Sequence, residues 1–257
     1  MNKWVFINQS TGTTQNGSKL DSAALAIIAN IVEIQLNADY NPECGGLDAQ
    51  IRVDDGSPIA ADEKRFIYVD TLPDAPGASA YHVPGAAYCA IATCVDLYGP
   101  QGVSVDASHE CLEDAGNPGC NMAVDDGNGQ EHERERCDAI ETQTYTINHS
   151  SGQVVSVSDF LLDSWQIPGG IGPFTFMTKN QFPGAKDPPG PFQTLPANGG
   201  DYQIIFPSGA SQEQQVFARS IDGKTHLIGN PKKPDKVKHW TSRASRIAQN
   251  RASKVKP

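Results

Sequence analysis

The segment Val103 to Pro118 holds the residues whose types and spacing best suit chemistry: Ser108-His109-Glu110-Cys111-Leu112-Glu113. In a helix, His109 and Glu113 are four residues apart and lie one above the other on the same face. An imidazole and a carboxylate at that spacing can grip one metal ion. Glu110, the next residue after His109, would then stand within reach of a water activated by that ion. Ser108 or Asp106 would cap such a helix, and Gly116-Asn117-Pro118 would end it. The competing reading is a solvated acidic helix face that carries one histidine.

The spacing follows the logic of the zinc-peptidase helix H-E-x-x-H, with Glu in place of the second His. Catalytic zinc takes three protein ligands and leaves a fourth position open, so His109 and Glu113 need a partner. The charge-dense stretch Glu131 to Glu141 offers Glu135, Asp138 and Glu141, with Glu135 as the first choice. Otherwise that stretch is an ordinary solvated face. Glu110 would be the general base. Tyr81 or His82, in Ala80-Tyr81-His82, would stabilise an oxyanion. Two carboxylates on zinc would leave the activated water less acidic than a set of neutral histidines would, and hence the enzyme slow.

Hydrophobic periodicity predicts the elements that must position these groups. Lys3 to Asn8 alternates as a strand, and Leu20 to Ala38 repeats at helical spacing, with Asp21 in its first turn and a turn at Pro42 to Gly46. Leu47 to Val53, Arg65 to Val69 and Ala86 to Cys94 read as strands, and the His109 helix follows. Thr142 to Ile147 with Val154 to Val157 suggests a hairpin. Ile167 to Pro196 is dense in Gly and Pro and predicts an extended arm over a surface. Tyr202 to Phe206 and Gln215 to Arg219 read as late strands. The expected class is α+β: a zincin-like mixed sheet with one long helix and a metal-motif helix, then a Gly/Pro-rich β arm and a basic tail. The expected segments are 1–165, 166–222 and 223–257.

The net charge of −10 hides a division. Residues 224–257 carry ten Lys/Arg and one acid, a net of +9, against −19 for the residues before them. Such a tail suits a partner of its own, nucleic acid or an acidic protein surface, whereas the acidic body disfavours a protein that binds nucleic acid all over. No apolar run approaches a membrane span, so no membrane partner is expected. The N-terminal stretch lacks the apolar core and cleavage site of a signal peptide, which predicts synthesis in a reducing cytoplasm. The six cysteines (Cys44, Cys89, Cys94, Cys111, Cys120, Cys137) make no C-x-x-C pair and fit no usual zinc spacing. Buried free thiols are the first expectation and disulfides formed after release the second.

Four ordered blocks carry a resemblance. They are Ala80-Tyr81-His82-Val83; Ser108-His109-Glu110-Cys111-Leu112-Glu113 with Asn117-Pro118; Glu135-Arg136-Cys137-Asp138 with Glu141; and Val157-Ser158-Asp159-Phe160 with Trp165. Together they resemble an uncharacterised metallopeptidase-like family encoded in tailed-phage genomes and bacterial prophages. Its pattern runs G-Y-H-D, S-H-E-x-x-E-x-x-x-D-P, E-V-C-D-x-x-E and V-S-D-F-x-x-P-x-W. The chain departs from it at Val83, Asn117 and Arg136. The resemblance spans about residues 3 to 220 and implies a virion-associated protein, a structural component of capsid or tail, made in the host cytoplasm. It also implies a zinc site that is either active on virion or cell-wall peptides or retired. The implied partners are other virion proteins and further copies of this chain, with packaged DNA or an acidic surface for the tail.

Overall fold

Trp4, Val5 and Phe6 are consecutive and all buried, which marks a strand covered on both faces. They belong to β1 (Asn2–Asn8), which lies between two parallel neighbours, β2 (Ala49–Val53) and β3 (Lys64–Val69). In the computed structural model, which describes residues 1–75, 78–195, 201–207, 214–221 and 224–229, the first sheet runs β2-β1-β3-β5-β4. Here β4 is Ala80–Val83 and β5 is Ala86–Ala90; β5 is parallel to β3, and β4 returns antiparallel at the edge. The fold is therefore α+β with a mixed sheet and few helices. Phe6, Phe66 and Tyr68 pack ring on ring, with centroids 4.9–5.6 Å apart.

Helix α1 (Ser22–Ile34) starts where the Asp21 carboxylate accepts a hydrogen bond from Ala24 N at 2.8 Å. Its apolar face, including Leu25, Ile28, Ile31 and Val32, is buried. The helix passes through a π-helical turn, Gln35–Tyr40, into a short α2 (Asn41–Cys44) and stops at Gly45, whose φ of 69° suits glycine. The turn predicted at Pro42 is thus a last helical turn, because proline is tolerated at the start of a new turn. Gln35 donates to Ser158 O (2.7 Å) and to the Tyr145 hydroxyl (3.1 Å), and that hydroxyl donates to Asp39.

Two compact units interleave along the chain: 1–118 with 144–158, and 119–143 with the described residues from 159 onward. In the first lie α3 (Val103–Gly116) and the predicted hairpin, β8 (Thr144–Asn148) with β9 (Val154–Ser158). The second holds an antiparallel sheet in the order β12-β11-β10-β7-β6. Its strands are β6 (Ala123–Asp125), β7 (Gln130–Glu133), β10 (Tyr202–Pro207), β11 (Gln214–Ile221) and β12 (Lys224–Gly229). The late strands expected near 202–206 and 215–219 are present. The part of the basic tail from 230 to 257 lies outside the described residues. No helix among the described residues is long and apolar enough to cross a membrane.

Two expectations for the second unit need correction. The charge-dense stretch is no solvated face: His132, Glu133, Glu135, Arg136 and Asp138 are all buried. Arg136 Nη1 donates to Leu161 O at 2.8 Å, and Nη2 pairs with Asp163. The Gly/Pro-rich segment is irregular, as expected, but it is also core. Phe174 and Leu195 pack with Ala139, Ile140, Leu161 and Trp165, while Phe176 stacks on Phe160 at 5.0 Å. A short α4 (Phe176–Lys179) is held by a capping box between Thr175 and Thr178.

Asp159 sits beneath α4, fully buried, and accepts a hydrogen bond from Met177 N at 3.1 Å. Burial pushes its carboxyl up to about 7, against the opposing pull of backbone and Thr175 hydrogen bonds. The folded protein therefore holds this proton more tightly than the unfolded chain, whose aspartates titrate near 3.8. Its contribution to stability is full below that value and is lost as pH rises through about 7. Asp159→Asn keeps one acceptor without the charge. Urea unfolding should show the variant gaining on the parent, by on the order of 2–4 kcal/mol between acid and pH 7.5.

Candidate metal centre

Helix α3 carries the motif, and eleven of its fourteen residues are buried, among them His109, Glu110, Glu113 and Asp114. That removes the solvated-face reading. The helix begins at Gly102, whose extended backbone serves as N-cap with no side-chain cap; Asp106 lies in the first turn and Ser108 in the next, so neither is the cap. It ends at Asn117, as expected, with the Asn117 N–H on Glu113 O. The acceptors a polar cap would have supplied are backbone carbonyls: Val103 N donates to Asp96 O and Ser104 N to Leu97 O, both at 3.0 Å. Ser104 Oγ donates to Ser156 O (2.7 Å), and Ser108 Oγ accepts from Ser158 N (2.7 Å), so two serines one turn apart stitch the helix to β9.

At the far end Asp114 anchors the helix to the sheet. Its Oδ2 accepts from Trp4 Nε1 (2.8 Å) and pairs with Lys64 Nζ (2.7 Å), and Lys64 lies 5.0 Å from the Trp4 ring centre. Between these anchors the motif side chains converge. His109 Nε2 is 3.3 Å from Glu113 Oε1, the i,i+4 contact expected from the spacing. His82, on edge strand β4 and buried, places Nδ1 3.0 Å from Glu110 Oε2 and 3.6 Å from Glu113 Oε2. The ligand atoms of His109, Glu110 and Glu113 all lie within 4.8 Å of one another.

These separations fit a metal. Two donors on one tetrahedral zinc, each at about 2.0–2.1 Å, stand about 3.3–3.4 Å apart. His109 Nε2 stands at that distance from Glu113 Oε1, whereas His82 Nδ1 is 3.6 Å from the other oxygen, Oε2; nitrogen and carboxylate oxygen are ordinary zinc donors.

The other expected site residues divide. Tyr81, beside His82 in β4, stacks on Tyr88 (5.2 Å) and packs with Leu72, Ala75 and Ala90. Burial raises its hydroxyl pKa, and the charges of Tyr88, Asp74 and Glu110 raise it further. Glu135 belongs to the second unit, where it is buried; Asp138 there starts a 3-10 turn, and Glu141 caps it. His82 proves to be more than an oxyanion candidate, because it meets two carboxylates of α3. Its position 28 residues before Glu110 gave no signal. Asp106, weighed from sequence only as a cap, is pushed up to about 6, chiefly by burial; the Cys94 hydrogen bond and His109 oppose the rise.

The anchor should be measurable apart from any metal. Asp114→Ala strips the acceptor from Trp4 and the partner from Lys64, which retains some contact with water. A loss of about 2–3 kcal/mol is expected in chemical unfolding, with Lys64→Met costing less than the removal of Asp114.

No protein-family model, curated protein or solved structure matches the chain, so the chemistry of this centre rests on its own geometry.

Proposed function

We propose that the first unit is a zincin-like half-domain with a zinc centre on α3, suited to hydrolysis of a peptide or amide bond. The observation that carries this is the approach of His82 to Glu110 and Glu113 on the helix that also bears His109. The arrangement of elements supports it: a mixed sheet, an antiparallel edge strand able to border a substrate cleft, and the motif helix following the strand beside that edge.

His109 and Glu113 would hold the ion. Glu135 was the third ligand expected from the sequence; within the first unit, the further donor whose ligand atom lies within 4.8 Å of those of His109 and Glu113 is Glu110. One imidazole with carboxylates leaves less positive charge on the ion than neutral histidines would, so the activated water is less acidic and the enzyme slow. Zinc, when bound, would polarise the scissile carbonyl and acidify the attacking water. Glu110 has two oxygens for two tasks. Oε2 meets His82 and fixes its ring, while Oε1 is assigned to take the proton from water and return it to the leaving amine. The oxyanion role expected of Tyr81 or His82 narrows, since His82 is engaged with carboxylates.

A second reading comes from the sequence. The resemblance to a tailed-phage and prophage family implies a virion component, and a body of −19 with a tail of +9 is compatible with it. It would be joined to other virion proteins or further copies of itself, with the tail on packaged DNA or an acidic surface. In that role the zincin-like shape can persist without catalysis.

Elemental analysis of the full chain separates the two. His109→Ala and Glu113→Ala should each lower zinc by about one equivalent per chain. Glu110→Gln should keep the zinc while cutting hydrolysis in a peptide screen by about 10²–10⁴-fold. Unchanged zinc and folding in the two ligand variants would leave the building-block reading.

A further inference from the structure

We propose that Cys89, Cys94 and Asp106 form a second metal site, for zinc or another divalent cation that accepts thiolate ligands. The site is independent of the centre on His109 and Glu113, and its role is to hold the start of α3.

Three consecutive elements deliver the donors. Cys89 is in β5, Cys94 follows the 3-10 turn Ile91–Thr93, and Asp106 lies in the first turn of α3. The two sulfurs are 3.9 Å apart; Asp106 Oδ2 is 3.3 Å from Cys94 Sγ and 3.8 Å from Cys89 Sγ. A tetrahedral zinc with sulfur at about 2.3 Å and oxygen at about 2.0 Å requires a sulfur–sulfur edge of about 3.8 Å and sulfur–oxygen edges of about 3.5 Å. All three observed edges come within a few tenths of an ångström of that triangle. A disulfide would need the sulfurs at about 2.05 Å, so the pair is spaced for an ion between them rather than for a bond.

The surroundings also suit coordination. Both thiols are buried, whereas Asp106 is only half-buried, which leaves a side for the ion to enter and for a water as fourth ligand. Ser79 Oγ donates to the other carboxylate oxygen, Oδ1, at 3.3 Å and orients Asp106 from behind. Two thiolates and one carboxylate select a borderline-soft cation over magnesium or calcium. Binding involves no redox step: each thiol releases its proton to solvent, Asp106 binds as carboxylate, and two sulfur–metal bonds and one oxygen–metal bond form. The C-x-x-x-x-C spacing gave no such indication, because the third donor is 12 residues beyond Cys94. Asp106 precedes His109 by three residues, so an ion here would clamp the turn that leads into the first centre.

Cobalt(II) titration of the reduced, metal-free full chain tests this, because only thiolate ligation gives sulfur-to-cobalt charge-transfer absorption in the near ultraviolet. The band should appear in the parent, persist in the His109→Ala/Glu113→Ala double variant, and vanish in Cys94→Ser. Asp106→Asn keeps both thiols and most of the shape, which guards against a folding defect; it should weaken cobalt binding by about tenfold or more with unchanged circular dichroism. No charge-transfer band in the parent, a band that survives Cys94→Ser, or a Cys89–Cys94 disulfide in protein purified without air would overturn the proposal. Loss of metal at His109 alone would sink the catalytic reading and leave this one standing.

Discussion

A carboxylate leaves water only when hydrogen-bond donors or positive charge replace the water, and α3 places Glu110, Glu113 and Asp114 in the interior with Asp106 half-buried behind them. Much of the first unit can be understood as the answer to that demand. Asp114 is answered by the Trp4 indole and the Lys64 ammonium. Glu110 and Glu113 are answered by two histidines, and Asp106 by two thiols and a serine hydroxyl. Of these partners Lys64 brings a permanent positive charge, whereas histidines, thiols and a hydroxyl are neutral in their common forms.

The sheet makes that answer geometrically possible. Because β4 turns back antiparallel at the edge, successive side chains alternate across it, with His82 directed toward α3 and Tyr81 packed with Tyr88. The helix in turn is fixed at both ends, by Ser104 and Ser108 on β9 and by Asp114 on β1 and β3. A helix with few apolar residues and no side-chain N-cap has little reason to form alone; these tertiary bonds, each worth about 1 kcal/mol net and more where charge is involved, compensate.

In the second unit the same rule turns a charged sequence inward. Arg136 is fully buried because its guanidinium finds the Leu161 carbonyl and Asp163. His132 is buried with Nδ1 2.6 Å from Gln203 Oε1, and burial lowers its pKa despite that bond and Asp126. The Gly/Pro-rich segment contributes Phe174 and Leu195 to a core that Trp165 centres, so irregular backbone and buried side chains coexist there. Composition alone suggested surface for both stretches.

The sequence by itself determined what local periodicity can carry. The strand at β1, the apolar stripe of α1, the β8–β9 hairpin and the C-terminal end of α3 were legible, because helix and strand repeats depend on neighbours a few residues away. The His109–Glu113 contact was legible for the same reason: a four-residue spacing meets on any helix. Only the tertiary structure decided that His82 meets Glu110 and Glu113, that Asp106 meets two thiols 12 and 17 residues earlier, and that Asp114 is tied to Trp4 110 residues away. Those meetings follow from the strand order β2-β1-β3-β5-β4 and from the need to satisfy buried charge. Neither leaves a mark in residue spacing, since a carboxylate bound for the interior and one bound for solvent are the same letter.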